Sequence, residues 1–386
     1  MPKSNKIYLD YASSVSANPS SIHALGVEAS KKLHEARAKV AGVLGARKEE
    51  IIFTSGGTES NNLAIQGVIL ASEKRGFLPH IVTTNIEHPS VLDTCRMLEE
   101  RGLAKVSIVP VEPNGIVDVK KIKKAINKNT VLVSVRYANN EIGTIQPIRE
   151  IAREIRHWKK NRKGPEKTST FPVFHTDAVQ GANYLDLNVE RLGVDLLSLS
   201  GSKIEESGRV GMLYKRKSVS LKNIFGGGDQ EMGLRPGTEN LPEILKFSSA
   251  LESAQKIKER EGKRLAKLRD YFLKKLQMSK TVFDIGLLVN GDLKKRLPNN
   301  LSISFSKIPS DLLIIELSAK DIMTSSKSAC KSSRAEGSYV ISALRPDFNP
   351  EIGAVRFSFG KQTKKKDLDR VVTALSQIFS KLSKWY

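Results

Sequence analysis

The sequence predicts an α/β protein: a large domain on a mainly parallel seven-stranded sheet flanked by helices, plus a smaller α+β domain. Three observations carry this. From about residue 20 to 215, helical patterns alternate with short runs rich in Val, Ile and Leu. Those runs are apolar on both faces, as strands covered by helices on each side must be. After Asn240 the texture changes to long charged helix and fewer strands. The large domain is expected at 18–240, and the small one at 1–17 with 241–386.

The elements follow in order. Ser20 to Gly45 reads as a long helix, with Lys and Glu set between Ala, Val and Leu. Ile51–Thr54 reads as a strand ending in a Gly-Gly turn, and Thr58–Leu70 as the next helix. Further strands are expected at His80–Thr84, Val106–Pro110, Val131–Val135, Val173–Thr176, Leu196–Leu199 and Val210–Tyr214. Trp158–Thr170, WKKNRKGPEKTST, breaks the pattern; residues 151–170 hold seven basic against two acidic side chains. It reads as a solvated loop, with a nucleic-acid contact as the alternative. Leu241–Gln277 reads as helix, followed by strand Asn300–Phe305, helix Ser310–Leu317 and strand Val355–Phe359. Val371, Leu375, Ile378 and Leu382 then form one apolar face of a final helix.

Composition narrows the function classes. The 386 residues suffice for a sizeable core without disulfides. Two cysteines, Cys95 and Cys330, exclude a disulfide-stapled scaffold and an all-cysteine zinc site. No metal centre is expected. The start, MPKSNKIYLDYASS, has no apolar stretch of a secretory signal, and no run is long enough to span a membrane. A reducing, cytoplasmic setting is the expectation. The abnormal figure is charge: 63 Lys+Arg against 41 Asp+Glu, a net +22. That suits nucleic acid, an acidic partner or an anionic cofactor, and names none of them.

Three places carry chemistry. Thr54-Ser55-Gly56-Gly57-Thr58-Glu59-Ser60 joins a strand to a helix. Glycines permit the tight turn and the helix N-terminus offers free N–H groups, which together cradle phosphate. It lacks the lysine of a nucleotide-binding P-loop. Asp177 ends an apolar strand, at the carboxyl edge where α/β proteins bind ligands. Lys203 follows another such strand and is a candidate imine-forming amine. Together these are the parts of a pyridoxal phosphate site: an anion cradle, an acid for the pyridine nitrogen and a lysine for the aldehyde. Gln180 is spaced to reach the ring hydroxyl, and His88 to lie over the ring.

In order and spacing, these motifs resemble the class V aminotransferase group of fold type I, and within it the cysteine desulfurases. The resemblance runs from Tyr8-Leu9-Asp10 through Thr54–Asn62, Glu87-His88, Asn139–Gly143, His175–Gln180 and Ser200–Lys203. It continues through Gly226–Asn240, Thr324–Cys330 and Arg356-Phe357-Ser358. It implies that Lys203 binds pyridoxal 5'-phosphate and then serves as acid and base. Asp177 would pair with the ring nitrogen, Gln180 with the hydroxyl, and His88 would stack on the ring. Gly57, Thr58, Ser200 and Ser202 would hold the phosphate, and Thr238 would reach the phosphate of a second subunit, making a homodimer. Arg356, beside Asn140, would bind the substrate carboxylate. Cys330 would take sulfur from L-cysteine as a persulfide, leaving L-alanine, and pass it to an acceptor such as an iron–sulfur scaffold or a tRNA-thiolation protein. Lys327, Lys331 and Arg334 would favour its thiolate. Cys95 reads as structural.

Departures from the family pattern keep alternatives in view. Ser202 stands where a histidine is usual, and Glu206-Ser207-Gly208-Arg209 replaces a Gly-Pro-Lys-Gly type turn. Between Ala12 and Asn18-Pro19 roughly twenty usual residues are absent. Lys327 replaces a customary glycine, and Gly226–Arg235 is one residue longer than usual. A selenocysteine lyase, another class V enzyme, or a non-catalytic RNA- or protein-binding homologue are the other readings.

Overall fold

The computed structural model describes residues 7–14, 17–72, 76–161, 171–326, 337–347 and 352–382. The elements run α1 (Ala24–Leu44), β1 (Ile51–Thr54), α2 (Gly57–Ser72), β2 (His80–Thr84), α3 (Pro89–Glu100), β3 (Lys105–Val109) and α4 (Val119–Ala125). Then come β4 (Thr130–Ser134), α5 (Ile148–Lys160), β5 (Val173–Asp177), α6 (Val189–Leu192), β6 (Leu196–Ser200) and β7 (Gly211–Lys215). The remainder is α7 (Leu241–Met278), α8 (Lys280–Ile285), β8 (Leu287–Val289), β9 (Asn300–Phe305), α9 (Ser310–Ser318), α10 (Tyr339–Leu344), β10 (Val355–Ser358) and α11 (Lys365–Leu382).

The large sheet has seven strands in the order β1-β7-β6-β5-β4-β2-β3. β6, β5, β4, β2 and β3 are parallel, while β7 runs antiparallel to both its neighbours. Alternate residues of each strand feed opposite cores. Val82, Val133, Phe174 and Leu197 join the α1, α5 and α7 side, whereas Ile81, Leu132, Val173 and Leu196 join the α2 and α3 side. That two-sided burial is why these strands read as unbroken apolar runs. Cys95 belongs to the second core, and burial pushes its thiol up to about 12. It is a packing residue.

β10, β9 and β8 form a separate antiparallel sheet. A third core, with Phe272, Leu276, Phe305, Leu375 and Phe379, covers it. Helix α7 serves both regions: Ile244, Phe247 and Leu251 pack on the first core, and Leu265, Phe272 and Leu276 on the third. Residues 7–14 fold against the start of α1, where Asp10 Oδ2 accepts from Ser21 Oγ at 3.0 Å.

One sequence expectation needs correcting. Trp158, Lys159 and Lys160 are the last turn of α5, not loop, because Trp158 packs against the first core. Residues 162–170 of the same charge run lie outside the described residues. Among the described residues no helix is long and apolar enough to cross a membrane.

Candidate functional site

The parallel strands all end on one edge, so their carboxyl-terminal residues gather there. Asp177 closes β5 and Ser200 closes β6. Between them and the small sheet lies a cleft of about 470 Å³. It is lined by the expected Gly57, Thr58, His88, Asn140, Asp177 and Gln180, and by Ser200, Ser202, Lys203 and Arg356. Thr238 is exposed and does not line it. Cys330, with Lys327, Lys331 and Arg334, lies outside the described residues.

At one end, α2 begins at Gly57. A Cβ there would stand 3.0 Å from Val179 Cγ2 and 3.3 Å from Ser200 Cβ, so a side chain would close the cradle. Ser200 Oγ and Ser202 Oγ are 3.0 Å apart on the facing turn. Glu59, in the first turn of α2, would repel an anion if left free. Burial alone would raise its pKa, but the Ser55 hydroxyl and amide and Arg235 Nε, at 3.0 Å, outweigh that and lower it. The acid is thereby occupied. Hydroxyls, a helix N-terminus and a missing Cβ suit a phosphate.

Deeper in, Asp177 is buried, and neutral donors hold both its oxygens. Asn61 Nδ2 donates to Oδ2 and the Val179 N–H to Oδ1, each at 3.0 Å. No ion pair reaches it among the described residues. A buried carboxylate without a cation is expensive, so this one suits a positively charged ring nitrogen. Asn61 Oδ1 is also buried without a partner. Beneath Asp177, His175 bridges β4 and β6 through Ser134 Oγ and Ser198 Oγ, both at 2.9 Å, and burial pushes it down to about 4. It is floor, held neutral.

His88 caps α3: its Nδ1 accepts from the Ser90 N–H at 3.1 Å. Burial lowers its pKa, so the ring is a neutral imidazole with its proton on Nε2. Lys203 ends a short 3₁₀ turn, Gly201–Lys203, directly after β6. Gly201 is required there, because a Cβ would strike the Gly208 carbonyl oxygen at 2.2 Å. The Lys203 side chain is exposed to the cleft, while its carbonyl accepts from Asn183 Nδ2 at 2.7 Å.

On the far wall, Arg356 Nη1 donates to the Asn140 carbonyl at 3.1 Å. The Arg356 main-chain N–H also donates to Ser325 O at 2.7 Å. The segment after Ser326 therefore departs from beside Arg356. It returns at Ser338, whose hydroxyl donates to Glu141 Oε2, and Tyr339, whose hydroxyl donates to Glu87 O, each at 2.5 Å. Both described flanks of the Cys330 segment are thus held by hydrogen bonds, the first to Arg356 of the cleft. Sequence reasoning missed Asn61 and Arg136, which line the cleft too. Asn61 stood within a quoted motif without a role. Arg136 had no motif signal.

Comparison with known proteins agrees with this geometry. The model of the family described as aminotransferase class-V matches residues 3–371. Cysteine desulfurase IscS of Dictyoglomus turgidum is 39% identical over 394 residues, covering 98% of this chain and 95% of that relative. Cysteine desulfurase IscS of Methanosarcina thermophila is 40% identical over 375 residues, covering 97% and 88%. Among solved structures, a NifS-like protein superposes with a TM-score of 0.83 at 34% identity, covering 94% of this chain and 92% of that one.

Proposed function

The chain belongs to the class-V aminotransferase family and, within it, to the cysteine desulfurases, and from that premise we propose which of its residues carry the reaction. The protein takes sulfur from L-cysteine, leaves L-alanine and delivers the sulfur to an acceptor. The observation that carries the assignment is the buried Asp177 carboxylate, held only by neutral donors, in one cleft with the exposed Lys203 amine.

Pyridoxal 5'-phosphate, once bound, would draw electrons from the substrate's Cα while its ring nitrogen stays protonated. Asp177 keeps that proton in place, and Asn61 fixes the carboxylate's orientation. Gly57, Thr58, Ser200 and Ser202 hold the phosphate, and Gln180 the ring hydroxyl. His88 covers the ring as a neutral imidazole. Arg356 binds the substrate carboxylate, and Asn140 can add its amide N–H groups because its side-chain oxygen is already taken by Arg136. Lys203 Nζ anchors the cofactor and then takes the proton from Cα.

Cys330 Sγ attacks the substrate sulfur. The Cβ–S bond breaks, its electron pair passes to Cβ, which takes up a proton, Lys203 Nζ returns its proton to Cα to complete L-alanine, and sulfur remains on Cys330 as a persulfide. Ser325 is tied to Arg356 of the cleft and Tyr339 to Glu87, and these are the described residues on either side of the segment that holds Cys330. Thr238, exposed outside its own cleft, serves the phosphate of a second copy in a homodimer. The acceptor is an iron–sulfur scaffold or a tRNA-thiolation protein, and the setting is cytoplasmic. Anaerobic incubation of the holoenzyme with sulfur-labelled cysteine tests this. Label should appear on Cys330, and Cys330→Ala should release no alanine; alanine release at the wild-type rate by that variant would refute the carrier role.

A further inference from the structure

Arg136 lies two residues past β4 on the cleft wall, with 2% of its surface exposed. Its guanidinium donates from all three nitrogens: Nε to Ala138 O at 3.1 Å, Nη1 to Ile86 O at 2.9 Å and Nη2 to Asn140 Oδ1 at 2.8 Å. Every acceptor is neutral. A guanidinium has five N–H donors, so one on each terminal nitrogen has no acceptor among the described residues. Nor does any Asp or Glu there form an ion pair with it.

The carboxyl of Glu87 is the acid in this neighbourhood, and it is already committed. It accepts from the Arg136 main-chain N–H at 2.9 Å and from Thr84 Oγ1 at 2.6 Å. Burial pushes its pKa up to about 7 against the opposing pull of the nearby Arg136 charge, so at neutral pH it offsets that charge only in part. Main-chain clamping explains why Arg136 stays in place. It does not explain a full positive charge buried beside a ligand cleft, which is costly unless an anion arrives to meet it.

Asn140 couples this charge to the carboxylate-binding wall: its side-chain oxygen accepts from Arg136 and its main-chain oxygen from Arg356. Two guanidiniums are thus held by one residue on the same side of the cleft. We propose that Arg136 is a specificity residue that binds a negatively charged group on the substrate's β-carbon while Arg356 takes the α-carboxylate. This rests on reading the cleft as an amino-acid site. The substrates so favoured are short amino acids with an anionic side chain, either cysteine as its thiolate or an oxyanion attached to Cβ.

The test is calorimetric binding of unreactive analogues to the holoenzyme, with no turnover needed. Succinate offers both charges, butyrate only one, and 3-mercaptopropionate gains its second when the thiol ionises. Succinate should bind at least about 10-fold more tightly than butyrate, since charge-assisted pairs are the strong hydrogen bonds. Arg136→Met should abolish the preference while still binding butyrate through Arg356, and Arg136→Lys should retain part of it. Tighter binding of 3-mercaptopropionate as it ionises would support the thiolate form of the proposal; a gain for succinate alone would support the oxyanion form. Equal affinity of the wild type for succinate and butyrate would overturn the role, as would a preference surviving in a folded Arg136→Met. Butyrate binding that is indifferent to Arg356→Ala would instead overturn the reading of the cleft itself.

Discussion

The Asn61 amide donates to Asp177 at 3.0 Å and to Ser90 Oγ at 2.9 Å, so α2 and α3 together aim the buried carboxylate. Removing that donor leaves Asp177 buried with one fewer hydrogen bond. A hydrogen bond to a charged group contributes roughly 1.5–3 kcal/mol. Asn61→Ala should therefore weaken pyridoxal phosphate binding by about 10-fold or more, read by titrating the apoprotein with cofactor. Asp177→Ala should weaken it further. An Asn61→Ala protein that binds cofactor as tightly as wild type would remove Asn61 from the site.

A second buried pair supports the segment that carries Thr238. Arg37 Nη1 and Nη2 meet the two Glu231 carboxylate oxygens at 2.7 Å each, and Glu231 also accepts from the Phe53 N–H at 2.9 Å. Glu231 and Met232 both adopt left-handed backbone, with φ of 48° and 61°. Such conformations persist only where surroundings enforce them. Breaking a buried pair strands one charge, at about 3–5 kcal/mol. Glu231→Ala should lower the unfolding free energy measured in urea by that amount, and Arg37→Met/Glu231→Leu by clearly less. Equal losses would mean that stranding the Arg37 charge adds no cost.

What the sequence made legible follows the same physics. Strands β2, β4, β5 and β6 are buried on both faces, so nearly every residue except His80, His175 and Asp177 is apolar or small and the run is visible. β8 spans three half-buried residues, Leu287–Val289, too few for any periodicity. Gly57, Asp177 and Lys203 were found because each punctuates a strand end. Arg136 was not, because it reads as one more surface charge among many. Only the parallel register of β4 beside β2 puts its guanidinium against the Ile86 carbonyl. The net charge of +22 hid the one arginine whose burial matters most to the cleft.

Glu87 and His175 oppose each other in acid. The Glu87 pKa is raised by burial from its ordinary value to about 7, so its stabilising contribution is complete below the ordinary carboxyl range and is lost as pH rises through 7. The His175 pKa is lowered by burial to about 4, so its contribution is present above the ordinary imidazole range and is lost as pH falls through 4. Their windows overlap with opposite slopes. Glu87→Gln removes one of them. Its stability should fall more steeply than wild type on acidification from neutral pH, in denaturant titrations across that range. A parallel pH dependence in the two proteins would show that Glu87 does not titrate there.

The two thiols should separate by reactivity alone. The thiolate is the reacting species, and Cys95 is fully buried with its thiol pushed up to about 12, so its thiolate is scarce at neutral pH. Native protein treated with an alkylating reagent should lose one thiol, and denatured protein both. Cys330→Ala should be unreactive until unfolded, and Cys95→Ala should react at the wild-type rate. Prior incubation of the holoenzyme with L-cysteine should change the chemistry at Cys330 only, adding one sulfur atom that dithiothreitol removes as sulfide. Rapid native alkylation of Cys95 would mean that its helix opens far more readily than its packing against Ile52, Leu63 and Val91 allows.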